Sequence, residues 1–240
     1  SEVDEWGARR ADEVAALQQS TLGDQVMIQS EDPLLTRSMI RTRSQLTRAG
    51  VIPIIRSDDH EEARALAERL IQAGAKALEF SFDTPRATAL CSAFKEHERK
   101  ICLGMGTVTD PLRQIMKGRH RRARFFFSAI NPPEFISECR RFNTLAVPGV
   151  ANISEAREAI SQGAEALKLF HAANNWTMED MLKLREMYPQ ILLIPVGGLR
   201  PDDVGRMFAA GMDAVGIGAA LNSMSDEELQ ALFAESNTQR

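Results

Sequence analysis

From Val51 onward, short apolar runs alternate with stretches whose apolar residues recur at helical spacing. Continuous apolar runs of this length fit strands buried on both faces, and amphipathic stretches fit the helices that cover them. The runs are Val51–Ile55, Ala77–Phe82, Ile101–Gly106, Arg124–Ala129, Thr144–Pro148, Glu165–His171, Ile191–Pro195 and Ala214–Gly218. Helices are expected between them. The first runs from a cap at Asp58 or Asp59 to Gly74, and the next three span Pro85 to about Glu98, Pro111 to Met116 and Pro132 to Arg140. Then come Ile153 to Gln162, a helix capped by Thr177 with Asp180 in the reciprocal position, Pro201 to Ala210, and a last helix from Ser225 to about Glu235. Eight strand–helix units predict an α/β fold, a closed parallel (β/α)8 TIM barrel. A doubly wound sheet alternates in the same way but usually has fewer strands.

Residues 1 to 49 break this rhythm and are expected to form an N-terminal helical extension to a barrel of residues 50–240. Val3, Trp6, Val14 and Leu17 share a weak helical face. A better helix opens at Asp32-Pro33, with Asp32 as N-cap and Leu34, Leu35, Met39 and Leu46 facing inward. Arg37, Arg41, Arg43 and Arg48 are assigned to its solvated outer face.

The length of 240 residues suits one such barrel. A net charge of −4 gives no global case for nucleic acid or an anionic membrane as partner, and no apolar run reaches the ~20 residues of a membrane-spanning helix. The N-terminal stretch is polar and charged and does not read as a signal peptide. Cys91, Cys102 and Cys139 lack metal-ligand spacing, so reduced thiols in a cytoplasmic protein are the simplest account. The four histidines form no HxH or HExxH pattern, so neither a metal nor another cofactor is expected. Lys117, Arg119, His120, Arg121, Arg122 and Arg124 form a basic stretch between the third helix and fourth strand. It falls on the face opposite a barrel's active site and is read as a solvated loop or an oligomer contact.

Active sites of such barrels lie at the C-terminal ends of the strands. Arg56, Glu79, Asp83, Thr107, Ser128, Lys168 and His171 fall at or near those ends. Lys168 interrupts an apolar run. It can snorkel or pair with a carboxylate, or it can sit desolvated as a neutral, nucleophilic amine. Glu79 likewise interrupts a strand, as its ion partner, as a general acid/base, or as both. Arg56 is either a surface arginine paired with Asp58 or Asp59 or a clamp for a substrate carboxylate. Gly104 and Gly106 leave room for packing or a turn. Gly197-Gly198 and Gly216 with Gly218 follow the last two strands, where backbone N–H groups commonly receive a phosphate. An amine that attacks a ketone gives an iminium, an electron sink for cleaving the adjacent carbon–carbon bond, and the nearby carboxylate can move the protons.

Seven stretches carry a resemblance to a known family: IPIIR (52–56), LEFSF (78–82), GMGTV (104–108), VPGV (147–150), LKLF (167–170), PVGGL (195–199) and VGIGAAL (215–221). In their order and spacing the chain resembles the class I aldolases that act on 2-keto-3-deoxy-6-phosphogluconate (KDPG) and 4-hydroxy-2-oxoglutarate (KHG). The resemblance implies Lys168 as the Schiff-base lysine and Glu79 as the general acid/base. It implies Arg56 and Thr107 at the pyruvyl end of a keto-acid substrate, and the backbone of Gly197, Gly198, Gly218 and Ala219 around a phosphate. It also implies pyruvate as product, no metal, and a homotrimer. The chain departs from that pattern in six places, one of them an N-terminal extension longer than typical. His171 replaces a proline, residues 172–176 lack a glycine, Asp83 stands in place of an arginine, Ala219 replaces a serine, and Ala129 replaces a proline. These departures bear on the distal end of the substrate and leave an unphosphorylated keto acid, or a non-catalytic metabolite-binding barrel, as alternatives.

Overall fold

The computed structural model describes residues 35–238. Val3, Trp6, Val14, Leu17, the Asp32-Pro33 helix start and Leu34 lie outside the described residues. Helix α1 (Arg37–Ala49) is capped by Thr36, whose Oγ1 accepts from the Met39 N–H at 3.3 Å. The barrel strands are β1 (Val51–Ile55), β2 (Ala77–Ser81), β3 (Cys102–Gly106), β4 (Phe125–Phe127), β5 (Leu145–Val147), β6 (Gly149–Val150), β7 (Ala166–Phe170), β8 (Leu192–Val196) and β9 (Val215–Ile217). All pairings are parallel, in the order β5-β4-β3-β2-β1-β9-β8-β7-β6.

The nine segments make the eight expected barrel strands, because β5 and β6 are one strand interrupted at Pro148. Its first part pairs with β4 and its second with β7, which carries the sheet round to its start. Proline has no N–H to donate, but the Pro148 carbonyl still accepts from the Lys168 N–H at 2.9 Å.

The covering helices are α2 (His60–Gln72), α3 (Ala87–Ala93), α4 (Pro111–His120), α5 (Phe135–Arg141), α6 (Ile153–Ser161), the short α7 (Ala172–Asn175), α8 (Met178–Met187), α9 (Val204–Ala209) and α10 (Asp226–Thr238). Asp59 caps α2 through the N–H groups of Glu61 and Glu62 at 2.8 and 2.9 Å. Thr177 caps α8 through the Asp180 N–H at 3.1 Å. Ser225 and Glu228 form a capping box at the start of α10. Helix α4 runs four residues past the expected Met116, so Lys117, Arg119 and His120 occupy its last turn and not a loop. Basic side chains at a helix C-terminus complement its dipole.

Alternation along the strands separates two cores. Leu78, Phe80, Leu103, Met105, Phe126, Leu167 and Leu169 face outward to the helices. Ile52, Ala77, Cys102, Phe125, Phe127, Leu145, Val147, Ala166, Leu192 and Ile194 fill the barrel interior, together with Met39, Leu46 and Ala49 of α1. Helix α1 therefore plugs the N-terminal base of the barrel. Arg43 departs from the expected solvated face: its side chain is 14% exposed and donates to Glu165 Oε2 at 3.1 Å and to the Gln190 carbonyl. Its long side chain reaches across the base from a nominally polar helix position. Cys91, Cys102 and Cys139 are buried free thiols, and burial pushes the first two up to about 12. Among the described residues, no helix is long and apolar enough to cross a membrane.

Candidate active site

With the base plugged, the polar interior positions gather toward the C-terminal mouth. Lys168 follows Ala166 on the inward face of β7, in register with Gly149 on β6 and Ile194 on β8. Glu79 follows Ala77 on the inward face of β2, in register with Ile54 and Gly104. Both are buried, at 8% and 2% exposure. Gly106 makes room for Glu79: a Cβ added there would fall 1.2 Å from Glu79 Oε1. Any side chain at residue 106 would expel the carboxylate, so the second glycine of GMGTV is there for space.

Lys168 and Glu79 form no ion pair within 4 Å, and Glu79 Oε2 is buried without a hydrogen-bond partner. They sense each other through a poorly screened interior. Burial raises the Glu79 carboxyl to about 7, against the opposing pull of Lys168 and then Arg56, with Asp83 adding to the rise. Burial lowers the Lys168 ammonium to about 8, against the opposing pull of Glu79, with Arg56 adding to the fall. Both groups are pushed toward their neutral forms, so each can gain or lose its proton near neutral pH. The Lys168 Nζ also lies 4.3 Å from the ring centre of Phe170 and 5.6 Å from that of Phe127. The rings exclude water while favouring whatever charge remains.

The rim beside this pair is polar. Arg56 Nη2 donates to Thr107 Oγ1 at 2.8 Å and lies 3.6 Å from Asp83 Oδ2. Its partner is thus Asp83, and neither Asp58 nor Asp59. Thr107 adopts φ 61°, a left-handed conformation uncommon for a β-branched residue and a form of strain that concentrates at functional sites. The buried Ser81 Oγ lies 2.8 Å from Thr107 Oγ1. On the other side of Arg56, β9 pairs with β1 and β8 pairs with β9, so Gly218 and Ala219 follow the strand next to that of Arg56, and Gly197 and Gly198 follow the strand after it. Gly197 has φ 107°, and a Cβ there would lie 2.8 Å from His171 Cα. The loops after β7 and β8 therefore lock together through a glycine, joined by the Ala173 N–H donating to the Gly197 carbonyl at 3.1 Å. Ser128, also at a strand end, is fully buried and donates to the Ile130 carbonyl. Among the described residues, no group of three or more His, Cys, Asp or Glu side chains could hold a metal ion.

The family model described as KDPG and KHG aldolase matches residues 42–234. The chain belongs to the KDPG and KHG aldolase family. The 2-dehydro-3-deoxy-6-phosphogalactonate aldolase of Escherichia coli K12 is 29% identical over 184 residues, covering 73% of this chain and 85% of that protein. The 2-dehydro-3-deoxy-phosphogluconate aldolase of Treponema pallidum is 27% identical over 171 residues, covering 71% and 81%. A solved structure described as native KDPGal superposes with a TM-score of 0.70 at 25% identity, covering 79% of this chain and 94% of that one. As a KDPG/KHG aldolase family member the chain is a class I aldolase, a carbon–carbon lyase.

The turn after β7 has a left-handed start. His171 has φ 49°, which a proline ring cannot adopt, so the histidine marks a backbone path closed to proline. Its ring packs on Phe170 with centroids 3.9 Å apart. Ser81 and Phe127 were not singled out from the sequence. Ser81 carries a readable signal, being a polar residue two positions from Glu79 and hence on the same strand face.

Proposed function

We propose that this aldolase cleaves a 2-keto-3-deoxy sugar acid, phosphorylated at its distal end, to pyruvate and an aldehyde, with Lys168 as nucleophile and Glu79 as general acid/base. The observation that carries the reading is the buried, non-contacting Lys168–Glu79 pair, poised at about 8 and about 7. The Lys168 lone pair adds to the C2 carbonyl, and loss of water leaves an iminium. Glu79 takes the C4 hydroxyl proton, the C3–C4 bond breaks, and its electron pair enters the iminium to give an enamine. Protonation at C3 and hydrolysis release pyruvate and return the amine. Arg56 and Thr107 hold the carboxylate, and the backbone of Gly197, Gly198, Gly218 and Ala219 receives the phosphate. The phospho-sugar acids in the names of the two relatives support that substrate class. A homotrimer in the cytoplasm completes the proposal. Leu112 and Met116, exposed one turn apart on α4, offer an apolar contact for it, and sedimentation reads the assembly.

One observation favours an unphosphorylated substrate instead. Asp83, half exposed beside Arg56, puts a negative charge on the rim that a second anion must pass. A panel of phosphorylated and unphosphorylated keto acids, read by pyruvate release and by borohydride trapping at Lys168, decides between the two. Failure of pyruvate and of the whole panel to trap in folded protein leaves the non-catalytic barrel as the better account.

A further inference from the structure

We propose that Ser81 is a positioning residue that fixes the direction of the Thr107 hydroxyl, so that Thr107 and Arg56 present two converging donors to one anionic group. The group is the carboxylate of the keto acid, and in this the inference rests on the aldolase reading above.

The proton count around two hydroxyls carries the argument. Arginine only donates, so Arg56 Nη2 fills one lone pair of Thr107 Oγ1. The Asp83 backbone N–H donates to Ser81 Oγ at 3.3 Å and fills one of its lone pairs. One proton then lies between the two hydroxyls, and it belongs to one or the other. If Thr107 supplied it, the Ser81 proton would be left over. Ser81 is fully buried, and the hydrogen bonds of its hydroxyl among the described residues are those to Thr107 and Asp83. A buried donor without an acceptor is costly. Ser81 therefore donates to Thr107, both Thr107 lone pairs are occupied, and the Thr107 proton points away from Arg56 and Ser81. Thr107 is partly exposed at the mouth, so that proton needs an acceptor from outside the protein. The strained φ of 61° holds the side chain at this junction, and the next residue is pinned by the Val108 N–H donating to the Phe127 carbonyl at 3.2 Å. A carboxylate, acceptor at both oxygens, fits a guanidinium and a hydroxyl donor side by side.

The test uses the full chain and two probes, pyruvate and acetone, the second a methyl ketone without a carboxylate. Borohydride trapping at Lys168 is followed against probe concentration in wild type, Ser81→Ala and Ser81→Thr. Loss of one hydrogen bond's worth of orientation at a charged group predicts a half-saturating pyruvate concentration about tenfold higher in Ser81→Ala. The expected Ser81→Thr value is close to wild type, acetone trapping is expected to be equal in all three, and kcat should change less than KM. Wild-type pyruvate dependence in Ser81→Ala overturns the proposal. A parallel loss of acetone trapping also overturns it, by showing general damage to the site. Wild-type protein that traps neither probe overturns the aldolase reading, and this inference with it. If Ser81→Ala does not fold, Ser81→Cys, with a weak donor of similar size, replaces it under the same criteria.

Discussion

At the base of the barrel, Arg43 meets Glu165 at 3.1 Å, with side chains 14% and 2% exposed. At the mouth, Lys168 and Glu79 are as deeply buried, yet they make no ion pair. A buried pair in contact recovers part of its desolvation cost through Coulomb attraction and hydrogen bonds. A buried pair held apart recovers less, and both pKa values drift toward neutrality. The base joins a helix to the barrel, whereas the mouth holds its two ionisable groups apart. Strand register makes the difference. Glu165 precedes β7 and is reached by a flexible arginine, while Lys168 and Glu79 sit on separate rigid strands that fix their separation.

The largest effect expected from breaking the mouth pair is that of Lys168→Ala, which should abolish both borohydride trapping and turnover in folded protein. Turnover surviving in this variant would assign the nucleophile elsewhere. Next, Glu79→Gln should lower kcat by about 10²–10⁴, the range of acid–base catalysis. The sign of its second effect follows from the field. Ionised Glu79 raises the Lys168 pKa, so removing it should lower that pKa further below about 8. The pH at which half the amine can be trapped should move down, although the pair titrates jointly in the wild type. An upward move would mean that Glu79 does not act on Lys168 through its charge.

Breaking the base pair should give the opposite pattern. Arg43→Met removes a guanidinium that donates to Glu165 and should lower stability, with kcat/KM unchanged below the melting transition. Adding Glu165→Leu should recover much of that loss, since a buried pair can be replaced by packed apolar groups. Chemical denaturation of the single and double variants checks this. A drop in kcat/KM at full folding would link the base to the mouth and remove the contrast.

How much of this was legible in the sequence depends on whether the signal was local. The strands were legible because burial on both faces leaves uninterrupted apolar runs, and Lys168 and Glu79 stood out as charges within them. The continuation of the fifth strand past Pro148 was not, because proline usually ends a ladder and here only its carbonyl is used. The end of α4 was placed at Met116, and the helix continues through Gly118 to His120. Gly118 is buried in the helix, where a Cβ would come within 2.5 Å of the Phe126 ring. Arg43 was assigned outward because periodicity places the Cα and says nothing of where a long side chain ends. The use of Gly106 as space for a carboxylate depends on a residue of the neighbouring strand and has no local signature.

The smallest expected effect belongs to Asp83, and it tests whether the mouth's charge balance reaches the substrate. Asp83 and Arg56 lie 3.6 Å apart with side chains 55% and 60% exposed, so solvent screens their attraction and the pair contributes little to stability. Its influence is on what enters. Asp83 draws on the guanidinium proposed to hold a carboxylate, and it repels a second anion at the distal end of the same molecule. Asp83→Asn removes the charge and keeps the shape. It should raise kcat/KM severalfold for a phosphorylated keto acid and less for the unphosphorylated analogue, and the difference should shrink as salt is added. Equal gains for both substrates would confine Asp83 to the Arg56 end. A loss for the phosphorylated substrate alone would make Asp83 a positioning group for it, in which case the rim charge selects for the distal phosphate.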